Sequence, residues 1–596
     1  MSLAALLPAV LALGICLAPV WMLRRRTWER AQDCFVSAGP TRPEVVRNSS
    51  VAYGLRMSAF GLLFAWGASG DLWALLIASA CFGLGIRLIH FLVRPLLEFI
   101  DEALSRDRSI TVAAFIANQH GGDPRVRVLA AGLSVLALLG FLICEALAAA
   151  ALLRPILPGG AATIWLLAIA TVVLMLLQAV PSGHSGVMQS SQLQLGMMWF
   201  GLLGAALIFL YLHFSARGAL LPYGTFAIAA AALCCGAMLG YRRTKYVDTD
   251  FITTAACGAD GRDTSRGARA LSRFGKLFNV ALSVLLALII ALALIGFHGE
   301  GVPRIARDAL ATLSTGTRLS AATLLTLCLV PLLQPLVDVV NWQRLAAARK
   351  DQRGLGPGEA SVALQGIYRI YALEGSLGWF LMGLFGAIAV AAMELPAGAR
   401  DIHGFAAHLG SNSGGGVGIA FSLLLIFVGA AALSTMSGMF SAALCTIRYD
   451  LLPAVSPQLA QGQVQRDDAK ATRQTLVAGI GLCVAFATAF VVAELFIEDG
   501  AASNAFLAVL LASSCAQLSL APIIVGPIIW RTGARDGASA RWAGVVLGVA
   551  AASGIAAVAA YVLTGAEGWL WSAVPATLGS GLVLFAIARA RRFMPT

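Results

Sequence analysis

Apolar runs of about twenty residues recur from one end of the chain to the other, each long enough to cross a hydrocarbon core about 30 Å thick. A run of that kind in lipid must bond its own backbone, which makes it a helix. Marked by length and hydropathy, about fifteen spans emerge: 3–22, 48–66, 72–98, 127–152, 162–180, 193–214, 219–240, 275–297, 319–341, 369–393, 417–446, 472–496, 501–528, 540–562 and 567–590. Charged residues make up only 12% of the 596 positions, against about 25% in soluble proteins. The reading is an all-α, polytopic membrane protein with essentially no soluble domain.

The formal net charge of +12 does not point to nucleic acid, because basic residues of a membrane protein collect in its cytoplasmic loops. Arginine dominates: Lys245, Lys276, Lys350 and Lys470 are the only lysines. That bias suits a GC-rich bacterial genome, and the expected location is a bacterial inner membrane. The first span precedes Arg24, Arg25 and Arg26, whereas a secretory signal carries its charge before the apolar run. It therefore reads as a retained helix with its N-terminus outside. The arginine-rich loops then fall on one side throughout, including "RRRTWER", "WQRLAAARKDQR" and the tail "RARRFMPT", which puts the C-terminus inside.

The eleven cysteines form no CxxC pair, and the seven histidines form no HExxH-type pattern. No GxxxxGK[ST] loop occurs, which argues against direct ATP coupling. No cofactor is expected, and no acid/base constellation suggests an enzyme.

Two spans carry features that hydrocarbon disfavours. "CLVPLLQPLVD" places Pro331 and Pro335 four apart in the span 319–341, where each removes a backbone donor, so a break near mid-membrane is expected. "SSVAYGLRMSAFG" places Arg56 among small residues in the span 48–66. A guanidinium at that depth costs several kcal/mol and keeps its charge. Irregular backbone at such depth survives where it lines a cavity or is buried in protein. Two interrupted helices in corresponding halves of a chain are the sequence signature of a midplane binding site.

Several short motifs then converge on one family. "DCFVSAG" (33–39), "GVMQSSQLQ" (186–194), "DVVNWQRLAAARK" (338–350) and "AALSTMSGMFSAALCTIRYD" (431–450) resemble, in order, motifs of the sodium:solute symporter family. The resemblance implies a LeuT-type fold, five plus five helices in inverted repeat, here an atypical member with extra helices. Its units would be an extra helix and loop over 1–47, a first repeat over 48–214, an inserted hairpin over 215–318, a second repeat over 319–528 and two C-terminal helices over 529–596.

The same resemblance implies a sodium site of oxygens, with carbonyls from Gly54, Met57 and Ala431 and hydroxyls from Ser434 and Thr435. A hard cation wants such ligands, and an unwound turn offers them. From the residues alone, Ser434 and Thr435 read as hydroxyls bonded back to their own helix. Two departures remove or invert negative charge there: Arg56, and Ser190–Ser191 where the family has a Thr-Asp pair. Arg56 admits three readings. It is a built-in cation in place of sodium, a bidentate anchor for an anionic substrate, or half of an ion pair with Glu145 or Asp338. The candidate substrate pocket comprises Arg56, Ser58, Gln334 and Glu145, with Phe60 read as pocket or packing, and Asp338 and Ser191 as ion-pair or gating positions.

The expected function is secondary active transport of a small organic solute by alternating access, with sodium the candidate ion. The alternative is a solute sensor on the same fold, signalling to a protein partner that the sequence leaves open. The expected contacts are the solute and the lipid bilayer.

Overall fold

The computed structural model describes residues 14, 35–36, 43–105, 109–157, 160–180, 183–216, 319–351, 357–396, 399–411, 415–455, 468–496, 502–529 and 537–593. The expected spans 219–240 and 275–297, and all of 3–22 but residue 14, lie outside the described residues. So do nearly all of the expected units 1–47 and 215–318.

Every regular element among the described residues is helical. In chain order they are α1 (Pro43–Gly54), α2 (Met57–Ser69), α3 (Leu72–Ser105), α4 (Val112–Gln119), α5 (Pro124–Leu153), α6 (Ala161–Ala179), α7 (Gly183–Ala216), α8 (Ala321–Val337), α9 (Val339–Asp351), α10 (Pro357–Met393), α11 (Ile402–Ser411), α12 (Gly415–Thr446), α13 (Asp468–Phe496), α14 (Ala502–Leu518), α15 (Ala521–Ile529), α16 (Gly537–Thr564) and α17 (Glu567–Phe593). Nine spans among them are long and apolar enough to cross a membrane. Two further pairs, α1–α2 and α8–α9, are bent by 52° and 43° at short breaks. The remaining expected spans all fall on these elements and on α3. Leu166, Leu373, Val484 and Leu563 are exposed on the outside of the bundle, a display of apolar surface that suits lipid.

The helices pack as two interlocked five-helix units. α2 packs on α10 while α8 packs on α3, so the broken helix of each unit lies against the second helix of the other. The same exchange relates α5 on α14 to α12 on α7, and α1 on α7 to α8 on α14. Swapping the units leaves this contact scheme unchanged, the mark of an inverted repeat. α16 and α17 form a hairpin against α14.

Glycines allow the closest approaches. A Cβ at Gly67 of α2 would overlap the Gly383 carbonyl of α10, and one at Gly386 would overlap the Phe64 carbonyl. Small residues at such crossings let two backbones touch.

The prolines act differently from expectation. α8 runs through both Pro331 and Pro335, and the break comes three residues later, at Asp338. Pro335 leaves the Pro331 carbonyl without its helical donor, and that carbonyl lies where only a glycine, Gly85 of α3, fits beside it. The helix therefore persists on packing. α7 likewise starts at Gly183, ten residues before the expected span. Its polar first turns are buried in the bundle, where Gln178 Nε2 donates to Ser190 Oγ at 2.5 Å and Ser191 Oγ donates to the Val187 carbonyl at 2.7 Å.

Candidate functional site

The two breaks leave backbone groups that water cannot satisfy at this depth, and particular side chains take them up. At the first break Leu55 and Arg56 are non-helical, and Arg56 stands in extended conformation just before α2, with φ −79° and ψ 153°. The Gly54 carbonyl accepts from Trp379 Nε1 of α10 at 2.9 Å. That indole stacks on Phe82 with ring centroids 4.2 Å apart. The first amides of α2 point at Glu145 of α5, whose Oε2 lies 2.7 Å from Met57 N and Oε1 3.1 Å from Ser58 N. The Ser58 hydroxyl donates to the same carboxylate. A buried carboxylate thus occupies the positive end of a half-helix, where anions bind well.

The second break is closed in a similar way. Asp338 Oδ1 accepts from Val340 N at 3.0 Å, while Oδ2 accepts from the Tyr53 hydroxyl at 2.6 Å. Asn341 Nδ2 donates to the Pro335 carbonyl and Trp342 Nε1 to the Leu336 carbonyl, at 3.2 and 2.8 Å. Tyr53 therefore ties the two broken helices together from α1.

Arg56 is 5% exposed and sits against two aromatic faces, its guanidinium carbon 5.6 Å from the Tyr53 centroid and 5.7 Å from that of Phe141. Glu145 and Asp338 both lie within electrostatic reach of it. Neither forms an ion pair with it within 4 Å, and both carboxylates have other donors. Among the described residues no hydrogen bond engages the Arg56 guanidinium.

The other sequence-selected positions divide. Thr435 Oγ1 donates to the Ala431 carbonyl at 2.9 Å, and Ser434 Oγ donates to Ser191 Oγ at 3.2 Å. Gln334 Nε2 donates to Gln517 Oε1 of α14 at 3.3 Å, and it makes no hydrogen bond to Glu145 among the described residues. Phe60 joins a cluster with Phe64, Phe385 and Phe427. Through Phe405, whose ring is tilted against that of Phe64 at 4.7 Å between centroids, this cluster holds α11 against α2.

Asp450 sits in a π-helical turn at the end of α12 (Ile447–Leu451), an irregularity frequent at functional positions. It accepts from Arg127 Nε at 2.7 Å, Ser109 Oγ at 3.0 Å and Thr111 Oγ1 at 2.5 Å. Arg349 of α9 grips Asp101 of α3 through two bonds, at 2.7 and 2.8 Å. Sequence reasoning missed Tyr53, Trp379 and Gln517. Tyr53 alone left a signal, a polar aromatic three residues before Arg56 in the sequence.

No protein-family model and no curated protein matches the chain. Among solved structures it is similar to a Na+-coupled sialic acid symporter in a substrate-bound, outward-open state, whose structure revealed a novel Na+ site. The TM-score is 0.57 at 13% identity, over 99% of this chain and 98% of that one. The described helices thus share the fold of that structure.

Proposed function

We propose that the protein is a secondary transporter of a small anionic organic solute, working by alternating access in a bacterial inner membrane. In this reading Arg56 supplies the positive charge that a sodium ion brings to related sites. The observation that carries the reading is the Arg56 guanidinium itself, buried at the break of α1–α2, flanked by Tyr53 and Phe141 and engaged by no hydrogen bond among the described residues. A desolvated guanidinium binds a carboxylate in bidentate fashion. Of the oxygens expected to hold sodium, the Gly54 carbonyl already accepts from Trp379 Nε1, which weakens it as a cation ligand. The likeness in fold to a symporter supports transport as the class of activity. Binding of solute then biases two packings of one bundle, with no covalent step.

The test is thermal stability of the purified protein across organic acids and their amide analogues, over a constant acetate background. The acids raise the unfolding midpoint saturably, the amides do not, and Arg56→Gln abolishes the effect. Equal stabilisation by the neutral analogues contradicts the reading.

A further inference from the structure

A second buried guanidinium lies close to the first. Arg344 of α9 is fully enclosed and is among the largest side chains so buried. Its Nε donates to Ser49 Oγ at 3.0 Å, whereas Nη1 and Nη2 have no partner among the described residues. Its guanidinium carbon lies 4.5 Å from the Tyr53 centroid, so one ring stands beside both Arg344 and Arg56. His184, in the first turn of α7, is equally enclosed, with both ring nitrogens unpartnered. It lies within electrostatic reach of Arg344.

The acid that also feels the Arg344 charge is Asp338, and its two oxygens accept from Tyr53 and Val340. A buried guanidinium without an anion is strongly destabilising, and buried donors in native proteins are nearly always satisfied. Two guanidinium nitrogens and an imidazole at the positive end of a long helix all favour the same complement. That complement carries acceptor atoms and negative charge.

We propose that Arg344, His184 and Ser49 form a second anion-binding site, which takes one small monovalent anion, a carboxylate or a halide. It lies beyond the Asp338 break in chain order, beside the Tyr53 ring that Arg56 also approaches. Its role rests on the transport reading: an anionic group released from Arg56 meets Arg344 next. Its affinity for anions does not rest on that reading.

The experiment uses the full-length protein in detergent, with choline gluconate holding ionic strength constant. Choline chloride and choline acetate are titrated separately, and the unfolding midpoint is read from tryptophan fluorescence. A saturable rise is expected in the wild type and in Arg56→Gln, and none in the double variant Arg56→Gln/Arg344→Gln, which also lacks the carboxylate anchor at Arg56. A rise with chloride as well as acetate identifies a halide site, and a rise with acetate alone identifies a carboxylate site. His184→Ala and Ser49→Ala, which keep the buried charge, cover the case in which the double variant does not fold. Each is expected to raise the half-saturating concentration about tenfold, the scale of one lost hydrogen bond to a charged group.

No saturable rise with either anion overturns the proposal. So does a rise retained in Arg56→Gln/Arg344→Gln, a rise lost in Arg56→Gln alone, or unchanged affinity in both His184→Ala and Ser49→Ala. If transport of organic acids fails while these titrations succeed, the transport reading falls and the site stands.

Discussion

Glu145 Oε2 lies 2.7 Å from the backbone nitrogen of Met57, so a side chain from α5 caps a helix that begins in the middle of the bundle. The cap matters because α2 starts where water cannot reach its free amides. Glu145→Gln keeps an acceptor for one amide and loses the charge. Glu145→Ala leaves both amides bare, each at about 1–3 kcal/mol. Unfolding in detergent should therefore rank the alanine variant well below the glutamine variant, and equal stability of the two would refute the capping role.

In the proposed reading the Arg56 charge keeps a cation away from the oxygens around the first break. Removing it, in Arg56→Ser, is predicted to create a sodium-dependent rise in the unfolding midpoint that the wild type lacks. Combining it with Trp379→Phe, which frees the Gly54 carbonyl, should enlarge that rise. A rise of equal size in the wild type would mean that sodium already binds.

Gly67 touches the Gly383 carbonyl, and there is no room for a methyl group between α2 and α10. Gly67→Ala should cost about 1–3 kcal/mol by overpacking. Gly132→Ala on α5, where nothing lies within 4 Å, is the matched control and should be neutral or stabilising. Similar melting of the two variants would contradict the close crossing.

Asp450 and Arg127 join the α12 end to α5, with Asp450 fully enclosed and the Arg127 side chain 34% exposed. Because Ser109 and Thr111 bond the same carboxylate, removing the acid breaks more than one contact. A double-mutant cycle of Asp450→Asn and Arg127→Gln should show a coupling of about 0.5–3 kcal/mol. Additive losses would mean the pair is incidental.

The breaks were legible in the sequence because their causes are local. Arg56 with its small neighbours marks the first, and Pro331 with Pro335 announces the second, though the chain holds helix until Asp338. Residues that satisfy the breaks were not legible, since Glu145, Trp379 and Tyr53 come from α5, α10 and α1 and meet only when the units interlock. Glu145 stood out as a charge inside a span, yet its role as a cap depends on the direction of two backbone amides. Gln334 was selected for its place beside the prolines, but its partner Gln517 lies 183 residues away. The polar start of α7 hid ten residues of helix for a related reason: Gln178 and the Val187 carbonyl, rather than water, take up its hydroxyls.

Uptake by proteoliposomes tests the central claim most directly, with an organic acid that stabilises the wild type as substrate and choline replacing sodium in one arm. The account predicts equal initial rates with and without sodium, and loss of uptake in Arg56→Gln. Accumulation that requires an inward sodium gradient would contradict it.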